Sequence, residues 1–321
     1  MVNASYWLGA ALGAVAAGML LASEALPADL AWRLAYGSGA VLGLGVLLLR
    51  RHVPESPRWL LTHGQAAAAE RIVLEVETAA GLGAGEGASL PLTRLRPRGP
   101  IAWRTVWRVM FVQHPRRALL GVALMAAQAF FYNAIFFTYG LVLARFYAVP
   151  EADIGHYLLP FALGNVLGPF VLGRWFDTIG RRPMIALTYL TSGALLAVSA
   201  ALFQAGMLNA TTQTLAWSVV FFFASAAASS AYLTVSEIFP LELRAVAIAL
   251  FFALGTLLGG VLAPTLFGWL VGRGEREALT LAYAGAALLM AGAAWVAVRF
   301  GVAAEGRGLE DVAPPLSNHP P

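Results

Sequence analysis

Cysteine is absent from the 321 residues, which removes disulfide frameworks and thiol chemistry together. Histidine is scarce, with 5 in the chain, and His52, His63, His114, His156 and His319 are scattered rather than spaced as ligands. No H-x-x-x-H pair and no Gly-x-Ser-x-Gly elbow is present, so an intramembrane enzyme has no catalytic set to build on. The sequence implies no catalytic residues, no metal site and no cofactor. Charge is also short: Asp, Glu, Lys and Arg make up 12% of the sequence, against about 25% in a soluble domain. The net charge is only +4. The arginines fall in particular loops rather than along one face, which reads as membrane topology and not as nucleic-acid binding.

What is present is apolar. Residues of hydrophobic type make up 59% of the chain, more than a water-soluble core can hide, so lipid is the solvent for most of the protein. A span needs roughly 20 apolar residues, and eight stretches qualify: 4–23, 30–49, 117–143, 155–173, 183–206, 214–236, 245–271 and 279–300. The first lacks a basic leader and is followed by further spans, so it reads as a span rather than a signal peptide. Gly9 with Gly13, and Gly255 with Gly259, form two small-xxx-small faces that would let helices approach closely. The expected fold is all-α, a polytopic membrane protein of eight transmembrane helices.

Orientation follows the arginines. Arg50, Arg51 and Arg58 follow the second span, and Arg94, Arg96, Arg98, Arg104, Arg108, Arg116 and Arg117 precede or open the third. Arg174, Arg181 and Arg182 lie between the fourth and fifth, and Arg244 between the sixth and seventh. The alternate loops are poorer in basic residues. The positive-inside rule therefore places both termini in the cytoplasm. The long connection 52–116 is expected to hold an amphipathic surface helix from Pro57 to Thr78. Gly81, Gly83, Gly85 and Gly87 then break it, and Pro91, Pro97 and Pro100 keep the next part from forming one long helix. From Ile101 to Val112, Trp103 and Trp107 stand one turn apart beside Arg104 and Arg108, the pattern of an interfacial helix. The tail 301–321, with Pro314, Pro315, Pro320 and Pro321, reads as disordered.

Three loops on the expected cytoplasmic side couple a carboxylate to an arginine near a helix end. They are PESPRWL (Pro54–Leu60, with Glu55 and Arg58), GRWFDTIGRRP (Gly173–Pro183, with Asp177, Arg181 and Arg182) and SEIFPLELR (Ser236–Arg244, with Glu237 and Arg244). Gly180 suits the turn, Pro183 suits the first turn of the following helix, and Pro240 breaks the helix before Arg244. Ion pairs at such a surface can lock one arrangement of helices and release it in another.

These three motifs and their order resemble the major facilitator superfamily, and within it the sugar porter and metabolite:proton symporter group, over essentially 1–300. PESPRWL looks like the segment after that family's sixth helix, GRWFDTIGRRP like the loop between helices eight and nine, and SEIFPLELR like the end of helix ten. In that register 1–51 corresponds to the last two helices of the N-terminal half, 52–116 to the cytoplasmic linker, and 117–300 to the C-terminal six-helix half. The first four helices have no counterpart in the sequence, so the expected fold is a partial one. With them go the first copy of the charged loop and the family's usual membrane-embedded acidic and basic groups. No Asp or Glu lies at the middle of any span.

Polar groups at mid-depth are costly unless paired, and mark a pathway. AQAFFYNAIFFTY, Ala127 to Tyr139, resembles the helix-seven substrate motif of sugar porters, with Gln128 and Asn133 on its polar positions. Ala127 and Phe131 stand where that motif has glutamine and glycine. Gln128 and Tyr132 are four apart and share a face. Asn165 resembles a cavity-lining position. Tyr232 stands where sugar porters carry tryptophan, and keeps an amphipathic ring of smaller area. Thr234 is a weaker candidate. The alternative is that the two amides, Gln128 and Asn133, hydrogen-bond between helices. Pro160, Pro169 and Pro264 can open backbone carbonyls or kink their helices. Tyr6 and Trp7 read equally as interfacial anchors, and Trp269 and Trp295 as belt or packing residues.

The resemblance implies secondary active transport of a small solute, a sugar, organic acid or other metabolite, by alternating access. It also implies proton coupling and residence in a bacterial plasma (inner) membrane. The expected partners are the solute, the lipid bilayer and protons. A truncated, non-transporting membrane protein or interaction module is the alternative.

Overall fold

The computed structural model describes residues 2–21, 23, 26–81 and 101–316. Arg94, Arg96, Arg98, Gly83, Gly85, Gly87, Pro91, Pro97, Pro100, His319, Pro320 and Pro321 lie outside the described residues. Two compact units are present. One comprises Met1–Met19 with Trp107–Ala313, and the other the described part of Leu20–Val106 and Pro314–Pro321.

The helices are α1 (Val2–Leu21), α2 (Ala28–Arg50), α3 (Pro57–Thr62), α4 (Ala66–Ala79), α5 (Trp103–Trp107), α6 (Pro115–Phe136), α7 (Tyr139–Tyr147), α8 (Ile154–Thr178), α9 (Arg181–Gln204), α10 (Ala210–Ile238), α11 (Arg244–Gly255), α12 (Ala263–Arg273), α13 (Arg276–Phe300) and α14 (Leu309–Val312). Seven helical stretches among the described residues are long and apolar enough to cross a membrane, and α1 holds a shorter apolar run, Ser5–Leu20. The protein is thus an all-α polytopic membrane protein.

In the first unit α10 is the central helix, packed on α8, α9, α6 and α11, while α13 lies against α9 and α6. Small residues make these contacts possible. A Cβ added to Gly164 or Gly168 of α8 would run into the Ser218 or Phe222 carbonyl of α10. Gly255 and Gly259 meet the backbone of α6 in the same way, at Met125 and at Ala129–Phe130. Gly9 and Gly13 have nothing within 4 Å of the added atom, so only one of the two glycine faces read from the sequence is a close helix contact. Asn209 caps α10 and exchanges hydrogen bonds with Thr212 in a capping box.

Four elements differ from expectation. The stretch expected as one span at 117–143 is divided: α6 ends at Phe136, and α7 begins at Tyr139. At the break the Thr138 hydroxyl bonds back to the Ala134 carbonyl, competing with the helical ladder. The surface helix expected over 57–78 is two helices, turned at Gly64 with φ +78°, with Leu60 and Ala69 buried. The span containing Pro264 changes register before the proline, through a π-helical segment Thr256–Leu262, the kind of local expansion that bends a helix. Within the tail read as disordered, residues 301–313 pack into the first unit instead: α14 forms, and Val312 and Ala313 are buried. In the second unit α2 carries exposed apolar side chains such as Leu42, Leu44 and Leu49.

Candidate functional site

Two clusters stand out in the first unit. The first lies at mid-span among α1, α6, α8 and α10. The Tyr132 hydroxyl donates to Asn165 Oδ1 at 2.8 Å, joining α6 to α8. Asn165 is fully buried and its Nδ2 donates to the Phe161 carbonyl at 3.0 Å. Pro169 lacks the N–H that the Asn165 carbonyl would receive four residues on. The Ser225 hydroxyl of α10 takes that place at 2.6 Å. The freed carbonyl is therefore satisfied from a neighbouring helix, as hydrocarbon surroundings require. Gln128 is buried and faces the Tyr232 hydroxyl. Asn133 is part-buried and donates one Nδ2 hydrogen to its own helix at the Ala129 carbonyl, at 2.7 Å, leaving its second N–H and its side-chain oxygen to offer elsewhere.

The walls around these amides are aromatic. Tyr132 meets Phe221 edge-on with centroids 4.8 Å apart, Phe161 lies 4.3 Å from Phe221, and Tyr232 faces Phe252 at 6.1 Å. Trp7 packs against Tyr132, Phe136 and Phe161 at 5.8, 5.4 and 6.2 Å and is only 4% exposed. Of its two readings this favours the cluster over the interfacial anchor: an indole this covered is a wall of the cluster. Tyr6 is exposed. Thr234 is buried and bonds back to the Ser230 carbonyl of its own helix. Of the sequence candidates, Tyr132 and Asn165 are joined directly, and Gln128 and Tyr232 face each other. Donors and acceptors of the amide and hydroxyl type set among aromatic faces are suited to a polyhydroxylated or otherwise polar small molecule.

The second cluster sits where α8, α9 and α10 end or begin. Gly180 turns the chain with φ +117°, a backbone state that suits only glycine, and Pro183 falls in the first turn of α9. Arg181 Nη2 then reaches Glu237 Oε1 at 2.8 Å and Asp177 Oδ1 at 3.3 Å. Arg181 and Glu237 are largely covered, at 16% and 14% side-chain exposure, whereas Asp177 is 68% exposed. The strong partner of Arg181 is thus Glu237, with Asp177 adding the small increment of a solvated pair. Arg244 Nε donates to the Phe239 carbonyl at 3.1 Å, just where Pro240 ends α10. Arg182 is exposed, and its stem lies against Gly301. Glu55 and Arg58 belong to the second unit, beside and at the start of α3, Glu55 exposed and Arg58 half-buried.

Three residues in these clusters escaped the sequence reading as site members. Glu305 accepts from the Arg181 backbone N–H at 3.4 Å, a carboxylate at a helix N-terminus, and it stands where any side chain on Gly180 would have to go. Arg117 donates to the Ile238 carbonyl at 2.6 Å and the Val312 carbonyl at 2.9 Å, tying the tail to the end of α10. Ser225 lies in a run of alanines and serines where nothing local distinguishes it. Among the described residues no group of three or more His, Cys, Asp or Glu could hold a metal ion.

The profile described as Sugar (and other) transporter matches residues 1–314. Polyol transporter 5 of Arabidopsis thaliana is 28% identical over 263 residues, covering 70% of this chain and 46% of that relative. A protein named for an inferred role in metabolite transport, YaaU of Escherichia coli (strain K12), is 27% identical over 231 residues, covering 70% of this chain and 47% of its own length. The chain thus spans about half the length of the curated relatives it matches. Among solved structures, the major facilitator superfamily proton:xylose symporter XylE, bound to 6-bromo-6-deoxy-D-glucose, superposes with a TM-score of 0.67 at 21% identity. The match covers 88% of this chain and 58% of that one, a likeness of fold. With the family profile matched over nearly its whole length, the chain belongs to the sugar (and other) transporter family, a family of transporters and not of enzymes.

Proposed function

We propose that this chain takes part in secondary active transport of a small polar solute, a sugar, organic acid or other metabolite, by alternating access. The observation that carries the reading is the Tyr132–Asn165 hydrogen bond between α6 and α8, set at mid-span with Gln128 and Tyr232 beside aromatic walls. A binding site at the bilayer midplane, built from polar groups on facing helices, is what such transport needs. Solute hydroxyls would exchange with the Tyr132–Asn165 bond, while Tyr232 and Trp7 would offer ring faces. Asn133 would contribute its free carbonyl oxygen.

The Arg181–Glu237–Asp177 cluster is the gating element of this reading. It holds the ends of α8, α9 and α10 together in one conformation and releases them in the other. Glu55, Arg58, Arg182 and Arg244 would act with it. The eight-span arrangement, the cytoplasmic placement of both termini and the inner-membrane location complete the reading, with 117–300 as the six-helix half, 1–51 as two helices of the other half and 52–116 as the linker. Sequence relatives named for polyol and metabolite transport, and the fold shared with a proton:xylose symporter, support the solute class and proton coupling.

The test is an uptake screen in cells expressing the gene. It covers hexoses, pentoses, small organic acids and aromatic acids, each with and without a proton gradient. Saturable uptake of one class, reduced when the gradient is dissipated, is expected. Uptake indifferent to the gradient would remove proton coupling. No uptake of any class by membrane-inserted protein would favour a non-transporting membrane module.

A further inference from the structure

A groove of about 640 Å³ runs along the outer side of the first unit between α6, α13 and the π-helical segment Thr256–Leu262. Its lining includes small residues, Ala123 and Ala126 of α6 and Gly285 and Gly292 of α13. Its walls are bulky: Leu258, Leu262, Leu289 and Trp295 line it and are all exposed. From Gly285 to Val296 it follows α13 for about 16 Å at 1.5 Å per residue, about half of a hydrocarbon core roughly 30 Å thick. One leaflet of lipid has that depth.

The shape selects the occupant. Helices associate in membranes where small residues let backbones approach. Here the lining carries no charged, amide or hydroxyl side chain for a neighbouring helix to pair with, a surface that suits a methylene chain. Charge selects the headgroup. Trp295 and Arg299 are four apart on one face of α13, both exposed, so the groove ends one turn before an arginine at the membrane surface. Trp295 marks the interface, where indoles concentrate.

We propose that this groove binds one acyl chain of an anionic phospholipid, with the headgroup phosphate at Arg299. Such a lipid would fill the space between α13 and the π-helical segment and brace the span that contains that segment. The site is separate from the solute cluster and does not depend on it.

Trp295 is its own reporter. The protein is reconstituted in phosphatidylcholine vesicles containing a minor share of either dibrominated phosphatidylglycerol or dibrominated phosphatidylcholine. The signal of Trp295, among 9 tryptophans, is obtained by difference from Trp295→Phe. About a fivefold preference for the anionic lipid is expected, the size of one basic residue near a charged surface. Arg299→Gln should abolish the preference. Gly292→Leu should lower quenching by the anionic lipid to the phosphatidylcholine level. A Cβ at Gly292 meets nothing within 4 Å, so the leucine fills the groove without forcing the helices apart. Equal quenching by the two lipids overturns the proposal, as does a preference that survives Arg299→Gln, or crosslinking that finds a second copy of the chain against Trp295.

Discussion

The Ser225 hydroxyl donates to the Asn165 backbone carbonyl at 2.6 Å, and Pro169 in the same helix as Asn165 is the reason that carbonyl is open. The two features are one device, a missing helical bond replaced by a bond between helices. Ser225→Ala should therefore cost about 1 kcal/mol of stability, the scale of an interhelical bond in a membrane protein. Pro169→Ala restores the N–H, so Ser225→Ala in that background should cost much less. A double-mutant cycle on thermal unfolding in detergent reads the coupling. Additive effects would show that Ser225 does not serve the freed carbonyl.

Tyr132→Phe removes the donor to Asn165 Oδ1 and leaves a buried acceptor without its partner. With the solute identified by the screen, the variant should raise KM roughly five- to tenfold, about 1 kcal/mol, at unchanged protein level. Asn133→Ala should act more weakly, because one of the two Asn133 amide hydrogens is already held by Ala129 on its own helix. Equal KM in wild type and Tyr132→Phe would take the cluster out of the solute path.

The two carboxylates beside Arg181 differ in environment, and their variants should differ in the same order. Glu237→Gln removes the charge from the covered partner 2.8 Å away and should destabilise by roughly 2 kcal/mol, since a covered guanidinium is left with only the exposed Asp177 as counter-charge. Asp177→Asn touches an exposed partner and should cost under about 1 kcal/mol. If the cluster gates transport, both should slow turnover while membrane insertion is unchanged. Normal uptake by Glu237→Gln would dismiss the gating role.

How much of this was legible beforehand depends on the range of the interaction. GRWFDTIGRRP is a local signal. Gly180 in its left-handed turn, Pro183 in the first turn of α9 and the Asp177–Arg181 pair all follow from spacing within one loop. Apolar run length likewise places the long helices. Glu237 as the main partner of Arg181 needs α9 and α10 side by side, and Glu305 needs the tail folded back over α9. Residues 301–313 give no local sign of that, because their placement comes from Val312 and Ala313 being buried and from Arg117 reaching Val312. Trp7 stayed open between two readings for a similar reason. An indole near the start of a span looks the same whether it meets headgroups or Tyr132. The break at Thr138 carries neither glycine nor proline, so nothing in the apolar pattern announced it.

The glycine pairs give the sharpest contrast between identical sequence signals. Gly9-x-x-x-Gly13 and Gly255-x-x-x-Gly259 have the same spacing, yet an added Cβ meets nothing at Gly13 and the backbone of Ala129 and Phe130 at Gly259. Backbone cannot swing aside as a side chain can. Gly259→Ala must therefore push the π-helical segment off α6, at about 1–3 kcal/mol, the usual range for overpacking. Gly13→Ala should be neutral or slightly stabilising, since alanine is the better helix former by up to about 1 kcal/mol. Thermal unfolding of the two variants side by side separates the cases. Equal effects would mean that the approach of α6 to this segment is looser than its backbone contacts indicate.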